Sequence, residues 1–349
     1  MRMLETHNQI RQKDLEEIAN SDIVDNFRNK TVLVTGATGL LGSEIVFALL
    51  CSNRLKSLNT KIIALVRNKE KAEKLFKAFL KSNNFKLIVQ DIREPLFYEG
   101  NVDYIIHAAS ETASLSFIET PVETILTSVE GTKNILEFSK EKNVESVAYL
   151  SSIEIYGTYP RETLVNEDEY GFINPLLPRS SYSESKRLCE NLCISYYNEY
   201  KVPVKIARLT QTFGAGVEYS DNRIFAQFAK SVLTKTDIVL NTTGGSKKSY
   251  CDVKDSVIAL FTILIKGKPG EAYNIANPDT YISIRKMAEL VAKKYSIGVK
   301  YDTNKKSDCY PLDSKVNLDI TKIKSLGWKP SIGLEDIYDK LINSFEEEV

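Results

Sequence analysis

Histidine is nearly absent from this chain: His7 and His107 are the two among 349 residues. They leave little material for a His-based metal site or a Ser-His-Asp triad, and no metal is expected. Cysteine is sparse as well. Cys51, Cys189, Cys193, Cys251 and Cys309 are too few and too scattered for a disulfide framework, and an odd count fits a reducing compartment. Cys189 and Cys193 stand four apart in a helical pattern and read as core-facing thiols. No sign of charge is in excess, since Lys plus Arg and Asp plus Glu both number 46. The balance argues against nucleic acid as a partner. No apolar run approaches the roughly 18 residues of a membrane span, and Met1 to His7 carries no signal-like stretch, so no membrane is expected and the cytoplasm is the expected location.

What is present is an ordinary globular composition, 43% hydrophobic and 26% charged, enough to bury one large core or two joined ones. Residues 1–27 read as a helical leader, on the pattern Leu15, Ile18, Ile23, Val24, Phe27. A rhythm of short apolar strands and helices follows. Strands are predicted at Thr31 to Thr35, Lys61 to Val66, Phe85 to Val89, Val102 to His107, Ser146 to Leu150 and Val204 to Leu209, with helices at Gly39 to Cys51, Lys69 to Lys81, Pro121 to Lys142 and Tyr182 to Tyr200. Such alternation predicts an α/β fold with a doubly wound parallel sheet over 28–210. From 211 to 349 the loops lengthen, which predicts a smaller C-terminal lobe, some of whose strands return to the first domain.

Gly36, Gly39 and Gly42 fall between a predicted strand and helix, where a tight turn lets backbone approach a pyrophosphate at the helix N-terminus. Gly36, Thr38, Gly39, Leu40, Leu41 and Gly42 are therefore expected to hold a dinucleotide. Asp91 and Ile92, after the third strand, would lie beside its adenine, and His107, Ala108 and Ala109 would pass beneath it. The second strand ends on Arg67, where an enzyme using NAD usually presents an acid. An arginine there can pair with a 2′-phosphate, which leans toward NADP.

Tyr182 and Lys186 share one helical face, and an ammonium beside a phenol draws its pKa down toward that of a usable base. Tyr182 would take a proton from a substrate hydroxyl while a hydride leaves the same carbon. The hydroxyl of Ser152, just past a strand, would hydrogen-bond the reacting oxygen.

The glycine turn, Ser151-Ser152-Ile153-Glu154 and Tyr182-Ser183-Glu184-Ser185-Lys186 together resemble the extended short-chain dehydrogenase/reductases, in their nucleotide-sugar epimerase/dehydratase group, from about Lys30 onward. The segment Pro175 to Arg187, with Thr212-Phe213-Gly214 and Asp221-Asn222-Arg223, is most similar to UDP-glucuronate decarboxylases. That resemblance implies a Rossmann-type fold, NAD or NADP as cofactor, a nucleotide-activated sugar oxidised at C4 to a ketone, and a homodimer. It also implies substrate contacts from Glu111, Ser152, Gln211, Arg223 and Lys248, and a catalytic place for Glu154. Dehydratases carry an Asp-Glu pair where this chain has Ile153-Glu154, so the acid for a leaving C6 hydroxyl is missing. Lys248 and Gln211 depart from the Arg and Asn of the decarboxylases, and Ser128 from a structural Asn. A 4-epimerase, a 4,6-dehydratase, an NADP-dependent carbonyl reductase and a non-catalytic cofactor-binding scaffold are the rival readings.

Overall fold

The computed structural model describes residues 4–159, 161–302 and 315–348. Cys309 lies outside them. Strands β1 (Thr31–Thr35), β2 (Lys61–Val66), β3 (Phe85–Val89), β4 (Tyr104–His107), β5 (Ser146–Ser152), β7 (Val204–Leu209) and β11 (Ala272–Ile275) form one parallel sheet in the order β11-β7-β5-β4-β1-β2-β3. Alternate residues serve opposite faces. Val32, Val34, Ile106, Ala148 and Leu150 join one core, and Leu33, Ile105, Val147 and Tyr149 the other. Helices α1 (Gln9–Asn20), α2 (Leu40–Lys56) and α8 (Val253–Lys266) close the first face; α5 (Pro121–Lys142) and α6 (Ser180–Tyr200) close the second. Strands apolar on both sides need this double cover, so the doubly wound expectation holds.

A second sheet is assembled from distant pieces: β6 (Thr163–Val165), β8 (Gln211–Phe213), β10 (Lys247–Asp252), β12 (Asn277–Ser283) and β14 (Lys315–Leu318), ordered β12-β10-β14-β6 with β8 also on β10. Strands β9 (Ile238–Leu240) and β13 (Val299–Tyr301) pair separately. Around Phe213, Phe225, Tyr250 and Tyr338 a third apolar cluster joins α7 (Ile224–Leu233), α9 (Ile284–Tyr295) and α11 (Leu334–Glu346). Helices α3 (Lys69–Leu75), α4 (Ser116–Glu119) and α10 (Thr321–Lys324) are short. No helix among the described residues is long and apolar enough to cross a membrane.

The leader is built into the first core. Leu15, Ile18, Val24 and Phe27 are buried, and the Phe27 ring packs 4.8 Å from Phe261. Its charges are matched to the fold: Arg11 Nε lies 2.5 Å from Glu44, Arg54 meets Glu5 at 2.9 Å, and Lys340 bridges Asp14 at 2.7 Å and Asp252 at 2.9 Å.

Three helices differ in length from expectation, and of these α6 begins only two residues early, at Ser180. Helix α2 runs on to Lys56 because Arg54 reaches the leader's Glu5 and Glu16 and Asn53 accepts the Thr60 amide. Helix α3 stops at Leu75, since the following turns swing Phe76 and Phe79 onto Phe47.

Candidate active site

The carboxyl ends of β1, β2, β4, β5 and β7 open into one cleft of about 870 Å³. It lies where the strand order reverses, with β1 between β4 and β2, the place at which open α/β sheets bind ligands.

The glycine turn forms one end. Gly36 takes φ +63°, and a Cβ there would sit 2.8 Å from Ala109 backbone; a Cβ on Gly42 would sit 2.2 Å from the Gly36 carbonyl. Only glycine permits this closeness of strand, turn and helix, and it leaves the α2 N-terminus open to an anion. Thr38, Leu40, Leu41, Ala108 and Ala109 also line the cleft. The dinucleotide cradle is thus fitted by the residues present.

His107 is not in the cleft lining: its ring packs between the sheet and α5, Nδ1 2.7 Å from Thr35 Oγ1 and Nε2 3.3 Å from Thr132 Oγ1. Burial, with the Lys186 charge, lowers its pKa to about 3 and keeps it neutral. Its part is to hold Thr35, whose hydroxyl accepts the Ala109 amide at 3.1 Å.

At the far wall of the second strand, Arg67 and Lys71 both reach the cleft, and Asp91 and Ile92 line it. Asp91 is engaged by Arg93 at 2.9 Å, which holds its carboxyl below the ordinary range. Lys71 was not singled out in the sequence. It bridges to Glu218 at 2.7 Å.

At the other end stand Ser152, Tyr182 and Lys186. Pro178 precedes α6, and Ser180 Oγ bonds the Asn174 carbonyl, so the helix begins just before the tyrosine. Tyr182 packs flat on Phe117, ring centroids 4.3 Å apart. Lys186 Nζ donates to the Leu150 carbonyl at 2.7 Å and lies 5.8 Å from the Tyr182 ring centre. Burial brings the Lys186 pKa down to about 8. The expected lowering of Tyr182 is not present in the unliganded chain. Burial, and then the charge of Glu154, raise its pKa, while a hydrogen bond with Ser152 opposes them. The Lys186 ammonium is directed at a backbone carbonyl and does not outweigh these effects.

Glu154 lies in a cationic corner. Arg179 Nη1 and Nη2 grip its two oxygens at 3.1 and 3.2 Å, and Ser183 Oγ donates at 3.3 Å. Burial opposes its charge, but Arg179, Lys248 and Ser183 together hold its pKa below the usual value. Burial, assisted by Arg179, lowers Lys248. Arg179 lies within the segment Pro175 to Arg187 with no role evident from the sequence beyond its place directly before α6.

The remaining expected contacts line the same cleft with their side chains partly engaged. Arg223 pairs with Asp221 at 2.5 Å, and Glu111 accepts the amides of Thr112 and Ala113 at 3.0 Å. Gln211 opens β8.

Residues 32–276 match the model of the NAD dependent epimerase/dehydratase family. The chain belongs to that family. Within it, the UDP-glucuronic acid decarboxylase 6 of Arabidopsis thaliana is 31% identical over 88% of this chain and 86% of that protein. UDP-glucuronic acid decarboxylase 1 of Danio rerio is 29% identical over 92% of this chain and 73% of that protein. In fold, this member of the family is similar to dTDP-glucose 4,6-dehydratase from Bacillus anthracis in complex with NAD, at TM-score 0.76 and 21% identity over 91% of this chain and 97% of that one. It is also similar to UDP-glucuronic acid 4-epimerase from Bacillus cereus in complex with NAD, at TM-score 0.71 and 20% identity over 91% and 99%.

Proposed function

We propose that the protein oxidises a nucleotide-activated sugar at C4 and that the preferred outcome is decarboxylation of UDP-glucuronate. The observation that carries this is the convergence of Ser152, Tyr182, Lys186 and Glu154 on one end of a cleft whose other end is the glycine turn. Residues 28–210 would carry the cofactor and the catalytic groups, and 211–349 mainly the nucleotide sugar.

A nicotinamide dinucleotide would be held by the turn from Gly36 to Gly42, with Asp91, Ile92, Ala108 and Ala109 along its length and Tyr182 and Lys186 at its reacting end. When bound, it supplies the hydride acceptor and a positive charge. Tyr182 takes the proton of the C4 hydroxyl, Ser152 hydrogen-bonds that oxygen, and the Lys186 ammonium favours the phenolate. A ketone at C4 weakens the bond to a carboxylate on C5; carbon dioxide would leave its electron pair behind as an enolate, C5 would take a proton, and return of the hydride to C4 would give the pentose and restore the oxidised cofactor. Arg179 and Lys248 suit an anionic group there, and Ile153 gives a leaving C6 hydroxyl no acid, so decarboxylation is favoured over dehydration. Gln211 and Arg223 would meet the nucleotide.

The cofactor is proposed as NADP, because Arg67 and Lys71 line the cleft beside the tip of β2, which lacks an acid, where a ribose phosphate would meet them. A cytoplasmic homodimer is proposed from the exposed apolar residues Val122, Ile125 and Leu126 on α5 and Leu188 on α6.

Incubation with UDP-glucuronate and NAD+ or NADP+, followed by mass spectrometry, tests the reading. Carbon dioxide and a UDP-pentose are expected from the natural chain, and none from Tyr182→Phe. Unchanged UDP-glucuronate removes the decarboxylase outcome; an isomer or a loss of water in parallel UDP-, CDP-, GDP- and dTDP-sugars would favour epimerase or dehydratase.

A further inference from the structure

A row of polar side chains crosses the seven-stranded sheet behind Tyr182 and Lys186. In the parallel register Ser151 of β5 is the partner of Arg208 of β7, and Arg208 is the partner of Asn274 of β11. Partners in register stand on one face of a sheet. Over this row α6 presents Glu190, one turn past Lys186 and two past Tyr182. The Glu190 carboxylate accepts Ser151 Oγ at 2.5 Å, Arg208 Nε at 3.1 Å and Arg208 Nη2 at 2.7 Å. Arg208 donates further to the Tyr156 hydroxyl at 2.9 Å and the Glu167 carbonyl at 2.6 Å, and Tyr156 donates to Asn274 Oδ1 at 2.6 Å. Ser151, Glu190 and Arg208 are all buried.

A buried ion pair is weak evidence for stability, because well-packed apolar residues of similar volume often do as well. This pair does something apolar residues cannot. Two consecutive residues at the end of β5 are tied to two successive turns of α6, Leu150 to Lys186 at 2.7 Å and Ser151 to Glu190 at 2.5 Å, and Ser152, next along the strand, lines the cleft with Tyr182. The Glu190 tie is the one anchored to a neighbouring strand as well, through Arg208.

We propose that Glu190, held by Arg208 and Ser151, is a positioning residue that keeps the Lys186 ammonium and the Ser152 hydroxyl aligned on Tyr182. This rests on Tyr182 being the base. The groups facing Lys186 are Tyr182, Cys189, Glu190 and Cys193 from its own helix, Tyr149 and the Leu150 carbonyl from β5, and neutral His107 from β4. Among them Glu190 supplies a negative charge that supports the ammonium against burial.

A spectrophotometric pH titration of the protein saturated with NADP+ or NAD+ follows tyrosinate formation. Subtracting the same protein carrying Tyr182→Phe isolates that phenol. In Glu190→Gln the Tyr182 midpoint is expected to rise by about one pH unit, a tenfold loss of phenolate at fixed pH, toward the value in Lys186→Met. Ser151→Ala, which leaves the Glu190–Arg208 pair in place, is expected to move it in the same direction and serves if Glu190→Gln does not fold. A purely structural role would lower the melting temperature and leave the midpoint alone; an unmoved midpoint in the folded variants overturns the proposal while the base assignment stands. Absence of any Tyr182 transition in the natural chain overturns both.

Discussion

Tyr182 illustrates what a four-residue spacing can convey and where it stops. The spacing from Tyr182 to Lys186 correctly implied one helical face, but the direction of the phenol's pKa depends on neighbours remote in sequence. Burial, and after it the charge of Glu154, raise it, and Lys186 is drawn to the Leu150 carbonyl. In the unliganded protein Tyr182 therefore stays a phenol at neutral pH, and Lys186, at about 8, is mostly charged. Arg67 is a simpler case, since its place at a strand tip was readable from the chain, whereas the approach of Lys71, on the helix that follows, to the same cleft was not. Calorimetric titration is expected to show NADP+ binding at least tenfold tighter than NAD+, about 1.4 kcal/mol, with Arg67→Asp reversing the order. Tighter NAD+ binding by the natural chain would contradict the assignment.

At the scale of elements, the strands of the large parallel sheet were the most legible feature. Four of the six, β1, β2, β3 and β7, have the expected bounds, and β4 and β5 differ at one end. Helix ends were less legible, because contacts outside the helix set them: Glu5 and Glu16 for α2, and Phe47 for α3. The glycine turn before α2 admits a direct test. Gly42→Ala would place a methyl 2.2 Å from the Gly36 carbonyl, a backbone atom with little freedom to retreat. Overpacking of this kind typically costs about 1–3 kcal/mol. Melting temperature should fall, and the dissociation constant for the bound dinucleotide should rise at least tenfold, measured by calorimetry. Unchanged affinity would show that the turn does not cradle the pyrophosphate.

Across the whole molecule, the doubly wound sheet was legible because each strand and its following helix are local in the chain. The second sheet was not. Its strands are short and meet over large separations, as where Thr163–Val165 lies beside Lys315–Leu318. The same difficulty hid the cluster of Glu154, Arg179 and Lys248, whose members come from three separate segments. Apolar Val122, Ile125, Leu126 and Leu188 remain on the outer surface of α5 and α6. Light scattering on the eluting protein should give twice the chain mass, and Ile125→Glu with Leu188→Glu should give the chain mass with the fold kept; a natural chain that elutes as a monomer contradicts the dimer. Oxidation at the sugar's C4 is expected to precede every later step. Stopped-flow mixing of the cofactor-loaded protein with UDP-glucuronate, plain or deuterated at C4, measures it through the absorbance of reduced nicotinamide. A transient absorbance that rises several-fold more slowly with the deuterated sugar is expected; conversion to product without that transient, or a transient indifferent to the label, would rule out oxidation at C4 as the first step.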